Sequence, residues 1–244
     1  MRGQEIFNVK QNYKLADAVY RMELEGNASS VTAAGQFVNV KTSGFYLRRP
    51  FSVCDFSENS LTIVYKTAGK GTEAFSRVKP GEKLDVLVGL GNGYSLDKSG
   101  ERPLLIGGGV GIPPLYGLAK RLAAQGREVN VVLGFNTASE IFLEKDFRAL
   151  GVGVTVTTVD GSYGKKGLVT DVLGSFSYTH HYTCGPRAML KAVYEKTTGG
   201  GSYSLEERMA CGFGACLACT CKTTYGHARV CKEGPVFEKE DLVW

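Results

Sequence analysis

The chain has 244 residues, 29 Lys+Arg against 24 Asp+Glu for a net charge of +5, and is 43% hydrophobic and 22% charged, which describes a globular protein with room for two compact domains, or two and a small appendage. With no Lys/Arg block there is no support for a nucleic-acid partner. No signal-peptide core opens the chain and no run of about 18 apolar residues occurs, so a cytoplasmic protein off the membrane, with reduced thiols, is expected.

The first hundred residues read as short strands separated by turn residues, at 19–24, 36–41, 50–55, 61–66 and 83–88. Their spacing predicts an antiparallel barrel or sandwich. The pattern then changes to strands alternating with helices, which predicts a parallel sheet. A strand at 102–106 runs into Gly107, Gly108, Gly109 and Gly111. Pro113 and Pro114 suit the first turn of a helix that ends near Gly126. Further strands are expected at 129–133, 152–159 and 181–184, and helices at 139–150, 169–173 and 187–196. The glycine-rich stretch 197–202 reads as a hinge. The expected domains are therefore 1–100, 101–198 and a C-terminal module over 199–244.

That module holds CGFGACLACTC, which places four of the seven cysteines within eleven residues. The spacing is Cys211-x4-Cys216-x2-Cys219, with eleven residues between Cys219 and Cys231, and it matches the plant-type [2Fe–2S] pattern. Two sulfide-bridged irons need four converging thiolates, of which a tight loop can supply three and a returning segment the fourth. Gly212, Gly214, Ala215 and Ala218 let the backbone wrap closely, and their amides can donate to the sulfurs. Cys221 falls outside the set and is read as a bystander. The rival is a zinc site, but Cys231 has no close Cys or His partner, His227 lying four residues earlier. The glycines at 107–111, between strand and helix, can bring amides and a positive helix end onto a pyrophosphate, although such turns also serve packing alone and the spacing departs from G-x-G-x-x-G. A cluster carries one electron at a time and a nicotinamide gives a hydride, so a flavin is the expected converter.

RPFS at 49–52, VYK at 64–66 and GKGT at 69–72 resemble the flavin-binding elements of the ferredoxin reductase superfamily. Gly107 to Pro114 and the turn Cys184, Gly185, Pro186 are similar to its nucleotide-domain motifs. DGSYGKKG at 160–167, CGFGAC at 211–216 and RVCKEGPVF at 229–237 resemble the branch of dihydroorotate dehydrogenase B electron-transfer subunits, and the resemblance spans essentially the whole chain. It implies an α+β multidomain fold: an antiparallel β-barrel FAD domain, a parallel α/β NAD-binding domain and a small C-terminal [2Fe-2S] cysteine module.

The resemblance further implies that Arg49 pairs with the FAD pyrophosphate, that Pro50, Phe51 and Ser52 lie along the flavin with Ser52 near N5, and that Val64, Tyr65 and Lys66 line flavin and ribityl chain. Gly71 and Thr72 would hold the phosphate side. Gly107, Gly108, Gly109, Gly111, Cys184, Gly185 and Pro186 would serve NAD(H), and Cys211, Cys216, Cys219 and Cys231 would hold the cluster. Arg49 and Tyr65 also have plainer readings as a strand-surface charge and a core aromatic, and Cys54, His180 and His181 read as structural. Asn136 stands where the family often has a basic residue, which favours NADH over NADPH; Glu140 and Glu144 are both candidates for the ribose hydroxyls. The implied partner is an FMN-containing dihydroorotate dehydrogenase catalytic subunit in an assembly of two plus two, with electrons from dihydroorotate reaching NAD+ in pyrimidine synthesis and no dihydroorotate site on this chain. Phe213, Leu217 and Tyr225 flank the thiols as candidate partner contacts. Alternatives are an NAD(P)H reductase subunit with another acceptor, of the sulfide dehydrogenase or ferredoxin:NADP reductase type, and a zinc-stabilised binding module without redox chemistry.

Overall fold

The computed structural model describes residues 3–244. Its first half comprises β1 (Gly3–Ala16), β2 (Val19–Glu25), β3 (Phe37–Val40), β4 (Arg49–Ser57), β5 (Ser60–Lys66), α1 (Lys70–Ser76) and β6 (Lys83–Leu90). The six strands close into an antiparallel barrel in the order β1-β2-β5-β4-β3-β6. Phe7, Met22, Leu24, Val38, Ile63 and Val86 fill the interior, and α1 contributes Phe75. Two local features are absent from the reading of the sequence. β1 is one, because it sends only Phe7 and Val9 inward and the rest of its 14 residues are polar or outward-facing. α1 is the other, since it is a single short element whose buried side is Gly71 and Phe75.

The second half builds a seven-stranded sheet. It uses β7 (Pro103–Gly108), α2 (Ile112–Ala124), β8 (Asn130–Phe135), α3 (Glu144–Ala149), β9 (Gly153–Thr158), β10 (Lys165–Lys166), β11 (His180–Cys184), α4 (Arg187–Lys196), β12 (Gly201–Ser204), the hairpin β13 (Thr220–Thr223) and β14 (Gly226–Arg229), and β15 (Val236–Glu238). The order is β10-β9-β8-β7-β11-β12-β15, parallel except for β15, which pairs antiparallel with β12. The helix expected over 139–150 is cut short. A 3-10 turn covers Ala138–Glu140, Leu143 sits at φ 61°, and only Glu144–Ala149 is α-helical. Phe142 and Leu143 are buried, so tertiary packing of this apolar pair overrides the helical run.

The end of the hinge expected over 197–202 enters the sheet. Thr197 is buried, 198–200 form an exposed bend, and β12 pairs with β11 from Gly201 onward. Gly201 serves close approach: a Cβ there would lie 2.1 Å from the His181 ring. His180 Nε2 bonds Ser202 Oγ and His181 Nε2 bonds Tyr203 OH, each at 2.9 Å. Burial holds these imidazoles down at about 4 and about 3, so both stay neutral structural groups.

The barrel and the sheet share side chains. Val19, Cys54 and Val64 of the barrel pack with Ile112, Leu115 and Leu118 of α2. Phe37 and Leu90 pack with Leu104, Ile106, Tyr203, Cys219, Val230 and Cys231. The cysteine segment is thus part of a core contributed by both bodies. Among the described residues no helix is long and apolar enough to cross a membrane.

Replacing Gly201 by Ala separates strand from hinge. A hinge would accept the methyl, whereas overpacking against the buried His181 ring should lower stability by about 1–3 kcal/mol, read from the midpoint of urea unfolding.

Candidate functional site

A groove of about 350 Å³ opens between barrel and sheet, and Pro50, Phe51, Ser52, Val64, Tyr65, Lys66 and Thr72 line it. Most of them come from β4, whose first residues pair with β3, and from the end of its other neighbour, β5. Phe51 and Tyr65 also belong to the barrel core, their rings packed on each other at 5.3 Å and on Phe75 at 4.9 and 5.0 Å. Arg49 lies beside α1, with Gly71 beneath it: a Cβ there would sit 2.5 Å from Arg49 Nε. Its Nη1 donates to the Leu47 carbonyl at 2.6 Å, and its guanidinium carbon is 5.1 Å from the Phe45 ring centroid. Thr72 is spent locally, donating to the Gly69 carbonyl and accepting from the Ala68 amide. A forked cation over bare backbone beside an apolar groove fits a flavin carrying a pyrophosphate. The groove also takes in residues that the reading of the sequence did not assign to it: Phe37, Val110, Leu205, Glu206, Glu207, Met209 and Pro235. They come from four places in the chain and meet only through the fold.

A second cleft, of about 290 Å³, lies over the C-terminal ends of β7 and β8, the usual ligand position in a parallel sheet. The glycines of the turn divide in role. Gly108 and Gly109 line the cleft. Gly107 packs on Ile112 and Leu115, and Gly111 on the Cys184 carbonyl, where an added Cβ would come within 2.4 Å. Pro186 lines the cleft as well, but Cys184 is wholly buried, with burial pushing its thiol well up, and Gly185 borders a neighbouring cavity. Glu140 lines the cleft and its Oε2 accepts from the Asn136 amide at 3.1 Å and from Nδ2 at 2.9 Å. Its Oε1 is 3.6 Å from Lys66 Nζ, which ties the cleft to the groove. Glu144 is engaged elsewhere, by Arg148 and the Tyr163 hydroxyl. Among the described residues no Lys or Arg lines this cleft.

The cysteine loop follows directly from the groove-lining residues. Three of its residues are left-handed: Gly212 at φ 78°, Gly214 at 92° and Leu217 at 61°. For a leucine this costs on the order of 1 kcal/mol and persists only where the surroundings over-determine it. Cys211 Sγ accepts from the amides of Ala215 at 3.3 Å and Cys216 at 3.5 Å. Burial opposes the Cys211 thiolate, but donation from Phe213, Cys216 and Ala215 outweighs it and holds the thiol down at about 6. Cys231 is the opposite case: burial, then its bond with Cys219 and the charges of Cys219 and Cys211, push it up to about 12. The Cys231 amide also donates to Cys219 Sγ at 3.4 Å.

The thiols therefore come as two interacting pairs, Cys211 with Cys216 and Cys219 with Cys231. Among the described residues no group of three or more Cys, His, Asp or Glu side chains is arranged around one metal ion. Two pairs are what a two-iron cluster requires, two thiolates for each iron. Arg229 braces the loop, Nη1 donating to the Gly214 carbonyl at 2.9 Å while its fork pairs with Glu233, which holds that carboxyl down at about 2. Cys221 belongs to neither pair. It sits on β13 beside a separate cavity with Arg187, Glu207 and Trp244.

Comparison with known proteins agrees with this division. Residues 206–243 match the iron-sulfur cluster binding domain of dihydroorotate dehydrogenase B, and residues 105–195 match an oxidoreductase NAD-binding domain. The chain is 43% identical, over all of both chains, to the dihydroorotate dehydrogenase B (NAD(+)) electron transfer subunit of Geobacillus sp. (strain WCH70). It is 41% identical to the corresponding subunit of Fusobacterium nucleatum over 96% of each chain. Among solved structures, an NADH-dependent reduced ferredoxin-NADP oxidoreductase superposes with a TM-score of 0.88 at 30% identity, covering 98% of this chain and 90% of that one. Phthalate dioxygenase reductase shares the fold, with a TM-score of 0.68 at 19% identity over 91% of this chain and 87% of its own. The chain belongs to the family of dihydroorotate dehydrogenase B electron-transfer subunits.

Proposed function

We propose that the groove, the cleft and the thiol loop form one electron conduit: FAD in the groove, NAD(H) in the cleft, and a [2Fe–2S] cluster on Cys211, Cys216, Cys219 and Cys231. The observation that carries this is their continuity. Leu205, Glu206, Glu207 and Met209 line the groove and lead within two residues to Cys211, while the Lys66–Glu140 ion pair joins groove to cleft. The chain is an electron-transfer oxidoreductase subunit of the dihydroorotate dehydrogenase B system. When bound, the flavin exchanges two electrons with a nicotinamide and single electrons with the cluster.

The chain's own residues bind and orient. Arg49 neutralises the pyrophosphate over Gly71, where no Cβ intrudes. Ser52 offers a hydroxyl along the flavin, and Val64, Tyr65 and Lys66 wall its other side. Gly108 and Gly109 let the nucleotide phosphates approach the backbone. Glu140, rather than Glu144, accepts from the ribose hydroxyls, and with Lys66 already paired to its carboxylate the described cleft lining leaves no free cation for a 2′-phosphate. Amide donation to Cys211 and the apolar packing of Cys219 and Cys231 give the cluster its two ends.

The partner is an FMN-containing dihydroorotate dehydrogenase catalytic chain, in an assembly with two copies of each, where dihydroorotate is oxidised to orotate and the electrons pass through this chain to NAD+. The naming of the relatives as electron transfer subunits supports this reading. Leu217, 59% exposed, Phe213, 46%, and Tyr225, 60%, are the candidate contacts beside the thiols. A cytoplasmic setting accords with the absence of a disulfide among the seven cysteines. The likeness to the ferredoxin-NADP oxidoreductase favours one second reading, the same conduit serving a different acceptor.

Four outcomes are expected. Iron content and the reduced-state paramagnetic signal should be lost on changing Cys211, Cys216, Cys219 or Cys231 to Ser and kept in Cys221→Ser; loss in the last would remove Cys221 from its bystander role. Arg49→Ala should weaken FAD binding roughly 10- to 100-fold, because a charge-assisted pairing is lost, as measured by flavin retention on dialysis. Diaphorase activity in Cys216→Ser should survive and prefer NADH, with Glu140→Gln narrowing the preference. Finally, mixing with a dihydroorotate dehydrogenase catalytic chain from the same source should give a complex in which dihydroorotate reduces NAD+, and Leu217→Glu should weaken assembly while sparing diaphorase activity. Failure to associate would leave the generic reductase as the reading.

A further inference from the structure

Two distant segments touch the flavin groove and then meet again two residues later. On β3, Phe37 lines the groove and Asn39 is the next residue on the same strand face. On the cysteine segment, Met209 lines the groove and Cys211 follows. Asn39 Nδ2 donates to the Cys211 carbonyl at 3.2 Å across 172 residues of sequence. Asn39 is 1% exposed, and its Oδ1 is buried with no partner. A buried amide with an unpaired oxygen is a poor choice for stability alone, since an apolar side chain of that size would leave nothing unsatisfied. What the amide provides here is its one donation.

The surroundings hold both partners in place. A Cβ on Gly212 would lie 2.6 Å from Asn39 Nδ2, so the Cys211–Gly212 backbone rests directly on the amide. From the other side, Arg48 Nη1 donates to the Asn39 carbonyl at 3.4 Å and to the Asp85 carbonyl at 2.9 Å, and its Nη2 pairs with Asp85 Oδ2 at 2.8 Å. The remaining thiols lack such a tie among the described residues: Cys216 is exposed, and Cys219 and Cys231 are packed in the apolar core.

We propose that Asn39 is a positioning residue for the cluster, fixing the Cys211 main chain at the end of the groove and so making Cys211 the thiolate on the flavin side. This rests on reading the groove and the thiols as flavin and cluster sites.

The test uses the full chain carrying Asn39→Asp (same shape, no amide donor), Asn39→Ala, or Asn39→His, whose ring Nδ1–H occupies the position of the lost Nδ2. In the cluster-loaded protein the reduced-state paramagnetic spectrum is recorded. In the metal-free protein, iodoacetamide labelling of each cysteine is followed by mass spectrometry. Asp and Ala should shift the spectrum and label Cys211 roughly tenfold faster, the effect of one lost hydrogen bond on loop opening, with FAD content and Cys216 labelling unchanged. His should restore both. Should the Asn39 variants not fold, Gly212→Ala, which pushes the amide off its acceptor, is expected to give the same two changes. Wild-type spectra and labelling in Asp, Ala and Gly212→Ala would overturn the proposal while leaving the cluster reading standing; a wild-type chain that takes up no iron would overturn both.

Discussion

The cysteine segment is bound at once to barrel and sheet, and the relative placement of the three sites depends on that double attachment. β12 enters it from the sheet, Leu205 to Met209 run along the groove, Asn39 of the barrel holds Cys211, and β15 returns the chain to pair with β12. Cys219 and Cys231 share one apolar core with Phe37 from the barrel and Ile106 from the sheet. Electron transfer needs fixed short separations, and a cluster on a tethered appendage would not keep them. Here the thiols cannot move far without opening a core that the flavin and nucleotide bodies also use.

Much of this was legible in the sequence, because the informative residues are local. Cys-x4-Cys-x2-Cys, the glycines at 107–111 and the pattern at 49–52 each specify a candidate site within a few residues, and most of these residues lie along the groove, the cleft or the cysteine loop. What was not legible is made of contacts between distant segments. Phe37, Leu205 and Met209 carry no motif, and only the closing of sheet onto barrel brings them to the groove. The stretch at 197–202 misled because Thr-Thr-Gly-Gly-Gly has the composition of a flexible joint. Gly200 and Gly201 are there so that the backbone can cross the buried rings of His180 and His181, a reason that is invisible until the neighbouring strand is known. β1 escaped for a simpler cause: with just Phe7 and Val9 inward, its alternation is too sparse to stand out.

Charge is distributed with similar economy. Arg49 meets no carboxylate among the described residues and lies over Gly71, whereas Glu140 is the one carboxylate lining the cleft and is oriented by Asn136 and Lys66. On the proposed reading the first suits a pyrophosphate dianion, while at the second the Glu140 carboxylate is already balanced by Lys66. The same two elements, β5 through Lys66 and the turn after β8 through Glu140, also set how the two sites face each other.

The contrast between the thiol pairs has an electrical consequence. Cys219 and Cys231 are 2% and 1% exposed, among apolar side chains, while Cys216 is open to solvent and Cys211 receives amide donors. Negative charge is better accommodated by solvent and aligned amides than by a hydrocarbon core. The loop is therefore polarised along its own length. Its inner end resists extra charge and its outer end welcomes it, so a cluster seated between the pairs would meet unlike surroundings at its two irons.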